Sequence, residues 1–527
     1  MSPSMGMAGE ARECARHGDS MHGSDLPPSR QTLIIGSGMG GLAAALALAK
    51  TDRSRQLLLL ERDAEPPHLE PTRAFEDWKR PGVPQLRHTH IFLGRFQSIL
   101  RAHHPELLEE LLQTGAALSS FDQSVPASLL AKFVSEPADQ DLLNIWCRRA
   151  TLEYVLRRRV ERLPNVRFLH GTTVEGLLTE HRDGELCVTG VEARTPHGNR
   201  QLQADLVIDS SGARSQYVEQ LRARGAEIRT ERTPSECGYY CRHFRQLDPS
   251  TELPRRGNGS TLDYLVYGIF YAEDGHFSIA YACPEIEPEL LSLLKRPDGF
   301  DEVCNQIPAI ARWTSRARPV SRVFGGAELA NRWHHFSQRG GSQVLGFFPV
   351  GDSHIQTNPI YGRGCSSAFV QAHALADALA SSRDPREQSR RYHGDVHTLM
   401  RTHFQFCVAA DAGFLARAKH VRGERMSPVQ QLASHAFQSG FLPAVEESPF
   451  VAREWWKLQQ MGKASGAGVF VLVLLQMVLL WLKRVLSGRR WQLPNLGPTR
   501  DEMLAACRSR VSPTVARDSE HVAANEG

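Results

Sequence analysis

The chain has no CxxC pair and no His/Cys knuckle, and the closest two of its ten cysteines, Cys237 and Cys241, stand at a spacing no zinc ribbon uses. That leaves the cysteines as reduced, mostly packing residues. Long runs of one charge are missing too: 62 Lys and Arg face 58 Asp and Glu, for a net charge of +4, and the basic residues are scattered. Nothing in this balance argues for nucleic acid as a partner. The first thirty residues are rich in Met, Ser, Gly, Pro and charge, without the apolar core of a secretion signal. They predict a disordered lead ahead of a cytosolic body. At 527 residues the chain exceeds one ordinary core and suits an enzyme of two interlocked domains.

What is present begins at Gln31. QTLIIGSGMGGLAAALALAK predicts a short apolar strand over Thr32–Ile35, a glycine turn, and an Ala/Leu-rich helix from about Gly40 to Lys50. Gly36, Gly38 and Gly41 form GxGxxG, whose glycines serve the tight turn, the approach of backbone to a pyrophosphate, and close helix-to-strand packing. The helix N-terminus offers free N–H groups and a positive dipole end to phosphates. A second apolar strand, Gln56–Leu60, ends in Glu61, where an acidic side chain can hold both hydroxyls of an adenosine ribose. The whole predicts a dinucleotide site, and FAD and NAD share the fingerprint. Farther on, GDSHIQTNPIYGRGCSSA (Gly351–Ala368) places a Gly-Asp pair, a proline and two more glycines before an alanine-rich helix. Such a loop brings backbone close to a ligand.

Two further segments choose between the cofactors. RRATLEYVLRRRVERLPNVRFLHGTTVEGL (Arg148–Leu177) reads as an amphipathic helix followed by a strand, and ADLVIDSSGARS (Ala204–Ser215) as a buried strand ending in a small-residue turn. In order, these four motifs resemble the FAD-dependent aromatic-hydroxylase-like flavoprotein monooxygenases, which include squalene epoxidase and the polyketide and polyether epoxidases, over about Gln31–Leu379. The resemblance implies FAD, with Arg149 reaching its phosphate–ribose region and the Val174 backbone meeting the adenine. It implies that Asp352 binds a ribityl or ribose hydroxyl, and that Pro359, Gly362 and Gly364 lie beside the isoalloxazine ring. The helix beginning near Cys365 would point its dipole at the edge of the ring where charge collects on reduction. Gly212, in the turn after the buried strand, joins the expected cofactor contacts.

Departures sharpen the resemblance. Ser211-Gly212 stands where the phenol hydroxylase branch has Asp-Gly, and Ser366 replaces a usual asparagine, which leans toward the epoxidase-like and reductase-like branches and leaves the nicotinamide contact unassigned. No second GxGxxG appears, so a dedicated NADPH domain is not expected, and the WxWxIP signature of the tryptophan halogenases is absent. No His or Cys stands where a covalent flavin link is expected.

RPGVPQLRHTHIFLG (Arg80–Gly94) is similar to a flavin-side segment of the epoxidase-like branch. Its Arg87, His88 and His90 either move protons near a flavin or hold the loop under the cofactor by side-chain hydrogen bonds. From about Glu231 to Phe336, β-rich runs with a turn at Glu273-Asp274-Gly275 predict a hairpin in an antiparallel sheet. In the family such a sheet roofs the flavin, and Tyr239, Tyr264, Tyr267, Phe270 and Tyr271 would supply an apolar wall. GAGVFVLVLLQMVLLWL (Gly466–Leu482) has one polar side chain, Gln476, and is long enough for the lower edge of a membrane span. Lys483, Arg484, Arg489 and Arg490 follow it, so a full crossing would export the more basic flank, and a dipping, one-sided anchor is expected instead.

The expected architecture is α/β: a Rossmann-type FAD-binding domain (31–230 and 337–384) interlocked with an antiparallel β-sheet substrate domain (231–336). A helical extension (385–465), a membrane-associating segment (466–486) and a polar, disordered tail (487–527) follow. The expected function is a membrane-associated monooxygenase, its body facing the cytoplasm, that hydroxylates or epoxidises an apolar, unsaturated small molecule with O2 and NAD(P)H. Two alternatives share the fold: a reductase or dehydrogenase of isoprenoid-type lipids, and a catalytically silent, membrane-tethered FAD-binding protein.

Overall fold

The computed structural model describes residues 30–119, 123, 125–248, 250–251, 259–326, 328–338, 341–342, 344–462, 466–488 and 497–510. The expected disordered lead up to residue 29 lies outside the described residues, as do Arg489 and Arg490.

The first half builds a parallel sheet. β1 (Gln31–Ile35) leads into helix α1 (Met39–Thr51) and then β2 (Gln56–Leu60). Helix α2 (Arg149–Glu161) carries the chain to β3 (Val166–Leu169), the hairpin β4 (Thr173–Arg182) and β5 (Glu185–Thr195), and β6 (Leu206–Asp209). β6, β1, β2 and β3 lie side by side in parallel, with Ile35 opposite both Leu60 and Asp209. That register brings Gly36, Glu61 and Ser210 to one level at the carboxyl ends of the strands, where open α/β sheets bind ligands. α1 is buried along nearly its whole length, which its alanines permit by taking little room between the sheet and a second helix.

The second half of the core is antiparallel. β7 (Cys237–Gln246) pairs with β9 (His276–Pro284), which pairs with β8 (Val266–Tyr271), while β10 (Ala317–Pro319) lies on the other side of β7. Asp274 and Gly275 both take positive φ (64° and 70°), as a tight hairpin turn requires. Alternation then sorts the side chains by face. Tyr240, Phe244, Tyr267, Ile269, Phe277, Ile279 and Tyr281 pack beneath the helices Pro288–Lys295, Pro297–Gln306 and Pro308–Thr314. Tyr239, Cys241, Ala280 and Phe270 occupy the opposite face with Ile360.

Part of the expected disordered tail belongs to this core. Arg500–Arg510 is a helix whose Met503, Leu504 and Cys507 are buried in the outer layer, and Tyr264 donates to the Pro498 carbonyl at 2.8 Å. Arg500 and Arg508 bind Glu287 and Glu289. Three apolar residues within five positions were too weak a pattern to stand out in a charged tail.

The chain then returns to the first sheet. β11 (Phe347–Pro349) pairs in parallel with β6 and completes the order β11–β6–β1–β2–β3. Helix α3 (Gly364–Ser381) packs on α1, and the long α4 (Pro385–Val421) packs on α3. α5 (Pro449–Gln459) and α6 (Ala467–Leu486) follow. α6 is apolar all round, yet it is docked along one edge: Val473, Met477 and Leu480 pack on Ala444, Val445, Val451 and Ala452. The Ser448 hydroxyl donates to Gln476 at 2.5 Å and Arg484 to Glu447 at 2.9 Å. The rest of the helix stands in solvent, Phe470 being 64% exposed. The nine cysteines among the described residues are unpaired and buried.

Candidate cofactor site and pocket

The three fingerprint glycines have three distinct surroundings. Gly36 has φ +88°, and a Cβ there would lie 2.9 Å from the Ser210 carbonyl oxygen. At Gly41 a Cβ would meet the Gly36 carbonyl oxygen at 1.9 Å, so α1 sits on the turn as closely as backbone allows. At Gly38 nothing lies within 4 Å of that position, which leaves the α1 N-terminus open. Gly212, at φ +87°, is equally open. Val174 stands at the start of β4, its carbonyl accepting from the Tyr217 hydroxyl at 3.1 Å.

Glu61 directly follows β2, and its carboxylate is already bound by the protein. One of its oxygens accepts from the Asp63 amide at 2.9 Å, and the other from the Ser37 amide at 3.0 Å, the Ser37 hydroxyl and Arg80 at 2.6 Å. Both oxygens are therefore engaged, and a ribose hydroxyl would either add to the oxygen that holds only the Asp63 amide or displace Ser37 or Arg80 from the other. Burial pushes this carboxyl up, but Arg80 and the two amides more than offset it and hold it below the usual range. Arg80 joins three carboxylates, reaching Asp63 at 3.1 Å and Glu153 at 2.6 Å as well. Arg157 donates to the Ser37 hydroxyl at 2.8 Å, and Arg149 to Glu153 at 3.0 Å. Reading the sequence missed Arg80, Ser37, Glu153 and Arg157, although Arg80 opens the quoted RPGVPQ segment.

The other end of the cradle is less satisfied. Asp352 follows Gly351 (φ +79°), whose Cβ position is 3.8 Å from Gly40 of α1. No hydrogen bond reaches the Asp352 carboxylate among the described residues; burial raises its pKa, while Arg149 and Arg332 pull the other way. A Cβ on Gly364, the first residue of α3, would be 3.8 Å from this carboxylate. Two residues on, the Ser366 hydroxyl is buried without a partner. A cradle with an open glycine position, a carboxylate awaiting a donor and an orphaned hydroxyl at a helix N-terminus fits a dinucleotide.

Between them, Asn358 fixes the loop. Its amide donates to Asp411 of α4 at 2.9 Å, its backbone N–H donates to Asn331 at 2.9 Å, and Tyr361 also donates to Asp411 at 2.7 Å. Burial raises the Asp411 pKa against these bonds. The helical extension thus props the glycine loop, a role no motif in α4 announces. Pro359 itself is exposed, and the loop residue that meets the sheet is Ile360. Gly362 has φ +65°, and a Cβ there would fall 2.3 Å from Ile91, in the segment Arg80–Gly94.

That segment is held as a loop support. Arg87 donates to the carbonyls of Phe75, Glu76 and Trp78. His90 accepts from Arg149 at its Nε2 (2.9 Å), so its Nδ1 carries the proton and donates to the His88 carbonyl at 2.9 Å. Burial and the Arg149 charge keep His90 neutral, far below its ordinary pKa, and His88 is lowered to about 4 by burial, Arg149 and Arg322. Tyr239 donates to the Thr89 carbonyl at 3.1 Å and stacks with His88 at 6.0 Å. Of the five aromatics expected to wall a pocket, Tyr239 and Phe270 do face this side. Tyr267 belongs to the outer core because alternation along the strand turns it away, Tyr264 precedes that strand and bonds to Pro498 there, and Tyr271 packs on Trp313 at 5.0 Å.

Comparison with known proteins agrees with the fold. The fold is that of the FAD-dependent monooxygenases and halogenases. Residues 34–82 match the NAD(P)-binding Rossmann-like domain family. The chain is similar to Protein Rv3254 of Mycobacterium tuberculosis (strain ATCC 25618 / H37Rv), 26% identical over 369 residues, which are 67% of this chain and 73% of that protein. Among solved structures it is similar to flavin-dependent brominase Bmp2, with a TM-score of 0.57 at 15% identity, over 88% of this chain and 100% of that one. It is also similar to p-nitrophenol 4-monooxygenase PnpA from Pseudomonas putida DLL-E4, with a TM-score of 0.54 at 16% identity, over 83% and 100%.

Proposed function

We propose that the protein is an FAD-dependent monooxygenase acting on an apolar small molecule with O2 and NAD(P)H. The observation that carries this reading is the unsatisfied end of the cradle: Asp352, the Ser366 hydroxyl and the α3 N-terminus. Bound FAD would supply two-electron chemistry and the activation of oxygen. The chain's own groups position and insulate. The open glycine turn and α1 amides take the phosphates, Asp352 accepts from a sugar-like hydroxyl, and the α3 dipole favours negative charge at its N-terminus. Tyr239, Phe270 and Ile360 keep water out. His90 stays neutral and aims Arg149 rather than shuttling protons.

An apolar substrate and a lipid surface are supported by a second feature. A row of partly buried rings, Tyr361, Phe406, Trp455 and Phe441, runs from the glycine loop to Phe437, with successive centroids 5.8, 6.0, 5.1 and 5.5 Å apart. Trp455 and Phe441 share a cluster with Val473, Met477 and Leu480 of α6. The outer side of α6 is apolar enough to bury in lipid, with the catalytic body kept on one side of the bilayer. Incubating the holoprotein with NADPH, a lipid extract and ¹⁸O2, followed by mass spectrometry, tests the assignment. A product bearing one labelled oxygen supports the monooxygenase, and an unlabelled product formed equally well without O2 replaces it with a reductase.

A further inference from the structure

A second concave site lies outside the cradle, and nothing above uses it. It is an open cleft of about 630 Å³ lined by Glu76, Arg245, His276, Arg318, Ser321 and Arg322. Its floor is a row across three neighbouring strands: Arg245 of β7 is directly opposite His276 of β9 on one side and Arg318 of β10 on the other. Residues so paired project from the same face, and like charges placed this way destabilise a sheet. Arg245 has one carboxylate near it, Asp274 at 3.9 Å. Arg318 and Arg322 meet none among the described residues. The acid on the wall, Glu76, is neutralised by Arg148 at 3.0 Å. The cleft therefore concentrates uncompensated positive charge that the fold itself does not need.

The cleft adjoins the sheet face that carries Tyr239 and Cys241. The Arg322 guanidinium lies 5.3 Å from the Phe324 ring, and Phe324 lies 6.2 Å from His88 and packs in the cluster of Tyr239, Cys241 and Ile360. The Phe324 ring therefore links the cleft to that face.

We propose that this cleft binds the phosphate groups of the nicotinamide dinucleotide reductant, with a preference for the form that carries the additional ribose phosphate. The proposal rests on the monooxygenase reading for the identity of the ligand and on the arginine row for the site. Arg245 and Arg318 grip a phosphate as paired forks, which suits guanidinium better than lysine. Arg322 closes the cleft from the side of Phe324. His276, whose pKa is lowered by burial, Arg148 and Arg245, has its Nδ1 committed to the Glu273 carbonyl at 3.2 Å. Its Nε2 is then an acceptor, which suits a ribose hydroxyl of the ligand rather than a phosphate oxygen.

The experiment uses full-length, FAD-loaded protein in neutral detergent. Calorimetric titration with 2′,5′-ADP should show saturable binding that weakens about tenfold or more in Arg245→Ala/Arg318→Ala, a loss of one or more charge-assisted bonds. Reduction of the flavin by NADPH should need correspondingly more NADPH in the variant, while dithionite reduction and FAD content stay unchanged. With no ligand present the variant should melt at a higher temperature, because the like-charge row has been relieved. Equal 2′,5′-ADP affinity in the two proteins overturns the proposal, as does wild-type binding of inorganic phosphate or anionic vesicles in place of 2′,5′-ADP. If the protein takes up no FAD, the monooxygenase reading fails by itself, and the 2′,5′-ADP titration still reports on the cleft.

Discussion

The two ends of the cofactor cradle are built on opposite principles. Around the glycine turn every charge has a protein partner: Arg80 binds Glu61, Asp63 and Glu153, and Arg157 binds Ser37 and Glu161. Around α3 the polar groups wait, with the Asp352 carboxylate and the Ser366 hydroxyl both without a hydrogen-bond partner among the described residues. A group saturated by the protein contributes to folding whether or not a ligand arrives, whereas an unsatisfied group costs stability until one does. One end should therefore answer to mutation mainly in stability and the other mainly in affinity.

The largest effect is expected at Arg80. Arg80→Met strips the shared cation from three buried carboxylates and should destabilise the protein by about 3–5 kcal/mol, read by denaturant unfolding. A loss under about 1 kcal/mol would mean that the network is ornamental. The glycines come next. Gly41→Ala forces a Cβ onto the Gly36 carbonyl and should cost about 3 kcal/mol of folding stability. Gly38→Val enters open space, so melting of the apoprotein should barely move while FAD binding is lost. Equal loss of stability in both variants would erase the distinction between packing and approach.

Asp352→Asn should invert the Arg80 result. A carboxyl whose pKa is raised in the folded state makes ionisation unfavourable above its ordinary pKa of 3.8, so the Asn variant of the apoprotein should be at least as stable as wild type at neutral pH. Its affinity for FAD should fall by roughly 1.5–3 kcal/mol, the range for a hydrogen bond to a charged group, measured by flavin fluorescence titration. The smallest effect is expected at His393, which is buried with both ring nitrogens unpartnered and stacked on Phe336 at 5.3 Å. Burial lowers its pKa to about 3, so its contribution is full above pH 6.5 and is lost as the pH falls from there toward 3. His393→Leu should gain about 1 kcal/mol at pH 7 and more at pH 5. An unchanged difference between the two pH values would show that protonation of this ring is not linked to unfolding.

The same division explains what could be read from the sequence. Gly36, Gly38, Gly41 and the Gly-Asp loop were legible because backbone approach demands particular residues at fixed spacing. The parallel core was legible because short apolar strands ending in such residues admit few arrangements. The Arg80 network was not, since a guanidinium that joins residues 61, 63 and 153 leaves no local pattern. Asp411, which fixes Asn358 from a helix without motifs, is hidden for the same reason. Tyr267 shows a subtler limit: an aromatic-rich strand is recognisable, but which face meets the cofactor depends on register with its neighbours.

The central claim is that the open end of the cradle receives FAD. The direct measurement is the flavin released on denaturing purified full-length protein, before and after reconstitution, compared with Asp352→Asn. The account predicts one FAD per wild-type chain, held without a covalent bond, and a markedly lower content in a folded Asp352→Asn protein. A wild-type chain that takes up no FAD, or an Asp352→Asn chain that holds it as tightly as wild type, would contradict it.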